Sequence, residues 1–253
     1  MEANRGAIVG SIFLAIGLIL AGWLLGSEIK DVRLADRYVT VRGLAERTVN
    51  ADLAIWPLSF REAGNDLKTT YAKSEQDNEA VLQFLAAQGI PKADITQGQP
   101  SVTDTEANDF GGTRAPNRYI VQQSITVRSH NVQQVAAAVQ KTSSLIASGV
   151  VLGGGPQYGS QNSVSYVYTG LNSIKPAMIT EATRSARTAA ERFAEDSGSK
   201  VGTIRQASQG LFSISSADAA SSGEGQSYGG AGQNSTILQK VRVVTTIQYY
   251  LQQ

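Results

Sequence analysis

The stretch "LNSIKPAMITEATRSARTAAERFAEDSGSKVGTI" (Leu171–Ile204) decides the fold prediction, because it holds one long helix and the strand that follows it. Its pattern predicts a helix from about Ser173 to Ser197, with Pro176 in the first turn, where proline is tolerated, and Gly198 as the stop. The residues that recur at helical spacing are expected to form its buried face: Leu171, Ile174, Met178, Ala182, Ala186, Ala189 and Phe193. The alanines in this face would let the helix lie close on a sheet.

A second helix with the same surroundings is predicted earlier in the chain. It follows the strand "DLAIWPLSF" (Asp52–Phe60), begins after a cap at Asn65 or Asp66 and runs to about Gln88, with Gly89 as its stop. Its apolar residues fall at helical spacing, which is typical of a helix with one apolar face: Leu67, Tyr71, Val81, Leu82 and Leu85.

The two helices belong to two matching halves. Gly89 precedes Ile95 by six residues and Gly198 precedes Ile204 by six, which gives a spacing of about 109 residues. The sequence therefore predicts an α+β fold that duplicates a β-α-β-β unit, with antiparallel sheet packed by helices, in halves of about 37–130 and 150–253. Other predicted elements are a strand "RYVTVRGLAERTV" (37–49), a helix from about Asn131 to Ser148 with Ile146 on its apolar face, and a last strand "LQKVRVVTTIQYYLQ" (238–252).

The N-terminus is the strongest physical signal. Between Arg5 and Glu28 lie 22 residues without formal charge, and roughly 20 apolar residues suffice to cross a hydrocarbon core of about 30 Å. We therefore expect residues 1–30 to form an uncleaved transmembrane signal anchor and residues 31–253 to form the domain. A cleaved signal peptide is the alternative, although the exit "LLGS" is a poor match to its cleavage pattern. The anchor residues are Ala7, Ile8, Val9, Ile12, Phe13, Leu14, Ile16, Leu18, Ile19, Leu20, Trp23, Leu24 and Leu25.

The charges beside this span give a weak indication of its orientation. Arg5 lies on one side, and Lys30, Arg33 and Arg37 lie on the other, so a positive-inside count would place the C-terminal domain in the cytoplasm. Long domains are translocated largely regardless of such counts.

Composition argues against several classes of function. The net charge is +1, from 22 basic and 21 acidic residues, and no basic run predicts a nucleic-acid partner. The chain has no cysteine, and its only histidine, His130, stands where a capping or exposed role is usual. The acidic residues outside helices are scattered, and no spacing brings two of them together: Glu46, Asp52, Glu62, Asp94, Asp104, Glu106 and Asp109. We therefore predict no catalytic residues, no cofactor and no metal.

Two glycine-rich loops occupy equivalent positions in the two halves. "DFGGT" (109–113) and "SYGGA" (227–231) each place one aromatic residue, Phe110 or Tyr228, before a glycine pair. A phosphate cradle requires such glycines to lead into a helix, whereas both loops lead into strands. We expect Phe110 and Tyr228 to contact a neighbouring subunit or to line a shared opening. The alternative is that both loops are disordered hairpin tips.

Several segments resemble the SIMPL-domain family. These are "VTVRGLAERTVNADLA", "GIPKADIT", "YIVQQSITV" and the stretch quoted first, with departures at Ala51 and Arg118, where many relatives carry Pro and Gly. The resemblance implies an α+β domain, an envelope location and, as in some members, homo-oligomers shaped as rings or channels. It also implies an inner-membrane anchor with the C-terminal domain facing the periplasm.

Together these features predict a non-enzymatic, membrane-anchored envelope protein whose partners are the lipid bilayer and copies of itself. The alternative is a periplasmic binding module for a small ligand or a protein partner.

Overall fold

The structure, a computed structural model, describes residues 37–107, 116–153, 162–217 and 235–252. The strands are β1 (Tyr38–Asn50), β2 (Leu53–Gly64), β3 (Ile95–Gln97), β4 (Ser101–Asp104), β5 (Tyr119–Ser129), β6 (Ser165–Val167), β7 (Lys200–Gln209), β8 (Ser213–Ser216) and β9 (Leu238–Gln252). The helices are α1 (Leu67–Ala87), α2 (Val132–Val139), α3 (Ser143–Ala147) and α4 (Leu171–Asp196).

The strands form two antiparallel sheets. One has the order β3-β5-β2-β6, with β4 also pairing with β5, and the other has the order β1-β9-β7, with β8 also pairing with β9. A long strand is therefore central in each sheet, β5 in the first and β9 in the second. Two shorter strands pair with one edge of it, β3 and β4 along β5, and β7 and β8 along β9. The predicted mixture of helices and antiparallel sheet is confirmed.

The described residues divide into two compact units, each with its own core. The small unit comprises 37–45, 176–212 and 242–252, and the large unit comprises 46–175 and 213–241 without the undescribed residues. The small core consists of Val39, Ala186, Ala190, Ile247 and Tyr249. The large core includes Trp56, Leu58, Phe60, Val81, Leu85, Ile125, Val127 and Val135.

In the large unit, α1 packs on the face of β2 and β5. The helix begins at Asp66, whose carboxylate accepts a hydrogen bond from Thr69 N at 2.9 Å, and it stops before Gly89, whose φ of 78° is the left-handed conformation that favours glycine. The predicted ends of this helix are thus confirmed.

The buried face of α1 differs between its two halves. Val81 and Leu85 are fully buried, whereas Leu67 and Tyr71 are about two-fifths exposed, at 42% and 41%. In the N-terminal half the buried positions are polar instead: Thr70, Ser74, Asp77 and Asn78. These positions continue the stripe of Val81 and Leu85 at spacings of three and four residues, which is why they lie on the same face.

In the small unit, α4 buries a stripe of small residues. The buried positions are Met178, Ala182, Ala186, Ala190 and Ala194. The prediction was wrong for Ala189, which is exposed, and for Phe193, which is 55% exposed. Residues at i and i+4 lie above one another on a helix, so a strict spacing of four places these small side chains in one narrow row, the alanine ridge. A bulky side chain in this row would hold the helix further from the sheet.

The strand facing this ridge contributes a glycine. A Cβ built on Gly43 of β1 would lie 1.9 Å from the backbone oxygen of Ala182 and 2.6 Å from the backbone nitrogen of Ala186. The absence of a side chain at Gly43 is therefore required for the close approach of helix and strand. Gly198, with φ of 67°, follows the end of α4 as predicted.

Two further predictions need correction. The helix expected from Asn131 to Ser148 is divided into α2 and α3. Lys141 N and Thr142 N donate to carbonyl oxygens three residues earlier rather than four, which interrupts the α-helical hydrogen-bond pattern. Ile146 is 63% exposed, and its neighbour Leu145 is buried instead. After α3, the strand β6 has only three residues and pairs with β2.

Candidate functional site

A cluster of buried polar side chains lies between α1 and the sheet. We define this polar cluster as Glu62 of β2, Ser74, Asp77 and Asn78 of α1, and Gln123 of β5, all of which are buried. Glu62 follows Phe60 by two residues, so both side chains point to the same face of the sheet. Gln123 pairs with Phe60 in the neighbouring strand. The polar cluster thus adjoins the apolar core directly.

One side of the polar cluster reaches solvent through a lysine. Lys73 Nζ lies 2.8 Å from Glu62 Oε2, and the two side chains are 60% and 6% exposed respectively. At the other side, Gln123 Nε2 donates to Glu75 Oε1 at 2.8 Å. Asn78 Nδ2 donates to Gln97 Oε1 at 3.4 Å, which links α1 to the edge strand β3.

The polar cluster contains oxygen atoms that lack partners. Glu62 Oε1, Ser74 Oγ and Asp77 Oδ2 are buried and make no hydrogen bond with the described residues. Burial raises the pKa of Asp77 to about 6, with a hydrogen bond to Glu62 and the charge of Glu62 acting in the same direction and Lys73 opposing them. The bond to Glu62 raises the pKa of Lys73. Such perturbed, buried groups are typical of sites that bind or transfer a charged species.

The sequence did not predict this pairing. Glu62 lies on a strand and Asp77 on a helix, so no spacing along the chain links the two acids. A usable signal was present: Ser74, Asp77, Val81 and Leu85 share one helical spacing, so the polar residues had to point where the apolar ones did.

Two other acids noted in the sequence, Asp104 and Glu106, share one partner. Asp104 and Glu106 both contact the Arg118 guanidinium, at 3.1 and 3.3 Å, and hydrogen bonding to Arg118 lowers the pKa of Asp104. Arg118 is one of the two departures from the family pattern, and it joins the chain on both sides of the loop that contains Phe110.

His130 and Asp52 lie beside each other at an end of the sheet. His130 is exposed as expected, and its Nδ1 lies 2.8 Å from the backbone oxygen of Asp52. The Asp52 carboxylate accepts hydrogen bonds from Thr169 N at 2.8 Å and Thr169 Oγ1 at 2.9 Å. The His130 ring thus contacts the backbone before β2, and the Asp52 carboxylate binds the loop between β6 and α4. Within the described ranges, no three His, Asp or Glu side chains are grouped so that they could hold a metal ion.

An apolar cavity of about 420 Å³ lies beside the end of α1. It is lined by Leu82, Gln83, Ala86, Ile90, Lys92, Ile95 and Gln97. This volume falls within the usual range for small-molecule sites. The wall is mostly apolar, and its polar groups are Lys92, which is positively charged, and the amides of Gln83 and Gln97.

Strand β7 is the most exposed element of either sheet. It stands at one end of the order β1-β9-β7, and its residues 203–209 are exposed on both faces. Ile204 is 51% exposed and Leu211, just beyond the strand, is 94% exposed.

Two groups of predicted site residues lie outside the described residues. These are the anchor, Ala7 to Leu25, and the loop aromatics Phe110 and Tyr228. Among the helices that the structure does describe, none has the length and apolar character needed to span a membrane.

Two antiparallel sheets with packed helices define an α+β protein. Residues 39–249 match the SIMPL family, which is described as a protein of unknown function (DUF541). The match covers most of the chain, so the chain belongs to this family, and the resemblance seen in the sequence is confirmed. No curated protein matches the chain.

Proposed function

We propose that this chain is a non-enzymatic, membrane-anchored envelope protein that assembles with copies of itself into a ring or channel. The uncharged N-terminal span supports insertion in the inner membrane, with the bilayer as a partner. Family membership supports a C-terminal domain that faces the periplasm. The observation that carries the proposal of self-assembly is the exposure of β7.

An exposed strand at the edge of a sheet presents unpaired N–H and C=O groups and is a natural template for another chain. Native proteins usually shield such edges. In β7 the side away from β9 has no strand partner among the described residues, and Ile204 adds apolar surface there. A neighbouring copy that pairs with this edge would satisfy the backbone groups and cover the apolar side chain.

The strands that flank the glycine-rich loops support the proposed duplication. The first loop leaves β4 and enters β5, and the last pair before it is Asp104↔Tyr119. The second leaves β8 and enters β9, and Ala217 N donates to Leu238 O at 2.9 Å at its base. Each loop therefore joins a short strand to the central strand of its sheet. We propose that the β-α-β-β units are duplicated and that Phe110 and Tyr228 contact neighbouring subunits.

The mass of the particle formed by the full chain in mild detergent tests self-assembly. We expect a discrete oligomer for the wild type and a smaller particle for Ile204→Glu, which places a charge on the exposed edge strand. Ile146→Glu is the matched control, because Ile146 is also exposed but lies on α3, and it should leave the mass unchanged. A monomeric wild type, or an Ile204→Glu oligomer of unchanged mass, would contradict the proposal.

A periplasmic binding module is the second candidate, and the cavity beside α1 supports it. Its apolar wall and Lys92 suit a small apolar carboxylate. Decanoate should then raise the melting temperature of a monomeric chain, and Ala86→Leu, which fills the cavity, should abolish the shift. Ala87→Leu changes the neighbouring position, which does not line the cavity, and should keep it. If decanoate gives no shift, or if both variants respond alike, the cavity is not such a site.

A further inference from the structure

We propose that Glu62 and Asp77 bind one proton between them and that this proton fastens the N-terminal half of α1 to β2. The site would make the docking of this helix dependent on pH. It is independent of self-assembly and of the cavity beside α1.

Glu62 and Asp77 are buried carboxyl groups with unpartnered oxygen atoms. Both carboxyl groups are more than nine-tenths buried, Glu62 at 5% and Asp77 at 8% exposure. Each has one oxygen atom without a partner, Oε1 and Oδ2 respectively. Glu62 of β2 pairs with Lys73 of α1, and Asp77 lies one turn after Lys73 on the same side of that helix, so the two carboxyl groups are neighbours. Two carboxylates can only accept hydrogen bonds, and one proton between them turns one group into a donor.

The surrounding charges favour one bound proton. Lys73 is the charged group that pairs with Glu62, and it is also the cation that acts on Asp77. From the facing strands the described contacts are neutral amides, Gln123 of β5 and Gln97 of β3. The further acid beside the cluster is Glu75 of α1, whose carboxylate accepts from Gln123. With one proton the pair carries a charge of −1 opposite Lys73. Without it, two adjacent buried carboxylates would face a single cation, which is costly.

The pKa of Asp77 agrees with this geometry and sets the pH window. It is raised to about 6 from an ordinary value of 3.8, so the folded chain holds a proton that the unfolded chain releases. The contribution to stability is fully present below pH 3.8 and is lost as the pH rises through about 6. The shared proton therefore stabilises the packing of α1 on β2 more strongly as the pH falls.

The melting temperature of the full chain between about pH 4 and pH 8 tests the proposal. Asp77→Asn keeps a neutral group of similar shape in place of the protonated carboxyl. We expect it to match the wild type at low pH and to melt increasingly above it as the pH rises. Glu79→Gln is the control, because it removes an exposed carboxylate from the same helix, and its difference from the wild type should not grow between pH 4 and 6. A constant difference for Asp77→Asn, or a growing one for Glu79→Gln, overturns the proposal.

Lys73→Gln provides a second test if Asp77→Asn does not fold. Lys73 is largely exposed, so its loss should leave the fold intact. It removes the charge that lowers the pKa of Asp77, and we expect the loss of stability to shift to higher pH. An unchanged or lower midpoint contradicts proton sharing. The melting temperature with calcium chloride at about pH 7.5 distinguishes a bound proton from a bound metal ion. If calcium raises the melting temperature of the wild type but not of Asp77→Asn, the site binds a cation and the proposal is overturned.

Discussion

Helices α1 and α4 each pack on an antiparallel sheet, but different chemistry holds them there. The buried face of α1 has polar side chains in one half, with Asp77 against Glu62. The buried face of α4 consists of alanines and one methionine, and its backbone approaches Gly43 so closely that no Cβ would fit. Dispersion and the exclusion of water stabilise the second interface, whereas the first also requires partners for its buried polar atoms.

Two helices that pack on sheets in the same way can therefore differ in what destabilises them. Added volume should destabilise one interface, and a change of pH should destabilise the other. In the core around α4 the titratable group is Tyr249, whose pKa burial raises above its ordinary value of 10.0. The free energy of that interface should therefore change little between pH 4 and 8 but steeply with added volume. An interface with two buried carboxyl groups should instead respond to pH in that range. Substitutions in the two interfaces can separate these responses.

Gly43→Val should have the largest effect. Its Cβ would lie 1.9 Å from the backbone oxygen of Ala182, and backbone cannot yield as a flexible side chain can. We expect the free energy of unfolding to fall by about 3 kcal/mol or more, measured by urea denaturation. Leu44→Ala, at the exposed neighbouring position, serves as the control and should change stability far less. Equal losses in both variants would mean that the close approach at Gly43 is not required.

Ala186→Leu should cost less, because a side chain can adjust where backbone cannot. The added atoms would enter the packed ridge between α4 and β1, and we expect a loss of about 1–3 kcal/mol. Ala189→Leu makes the same change three residues later at an exposed site and should stay within about 0.5 kcal/mol of the wild type. A loss at Ala189 as large as that at Ala186 would instead support the buried face that was predicted from the sequence, which included both residues.

Ser74→Ala should have the smallest effect and the opposite sign. Ser74 is fully buried and its Oγ has no hydrogen-bond partner, so removing the hydroxyl removes an unsatisfied polar atom. We expect an unchanged stability or a gain of up to about 1 kcal/mol in the same urea measurement. Gln76→Ala, at an exposed position two residues later, is the control. A clear loss at Ser74 alone would show that the hydroxyl has an important partner.

Much of the fold could be predicted from the sequence, because its signals are local. Gly89 and Gly198 end the two long helices as expected, since each follows a periodic segment and only glycine adopts positive φ readily. The face of α4 was partly wrong, because Phe193 is apolar but too bulky for a ridge that faces Gly43. That glycine lies about 140 residues away in the sequence, and no local pattern links the two.

The candidate site could be predicted less well than the fold. Spacing along the chain does not link Glu62 and Asp77, because the two residues meet only after α1 folds back on β2 and β5. The exposure of Tyr71 also results from the way in which α1 packs on the sheet. The helix turns its polar stripe toward the sheet because Val81 and Leu85, further along that stripe, contribute the larger apolar burial.

Amide hydrogen exchange of the full chain at about pH 5 and pH 7.5 tests the central claim most directly, because it follows both interfaces in one sample. After correction for intrinsic rates, the amides of residues 70–78 should lose about tenfold protection at the higher pH. The amides of residues 182–190 in α4 should keep theirs. Equal changes in the two helices, or a loss confined to α4, would contradict the account.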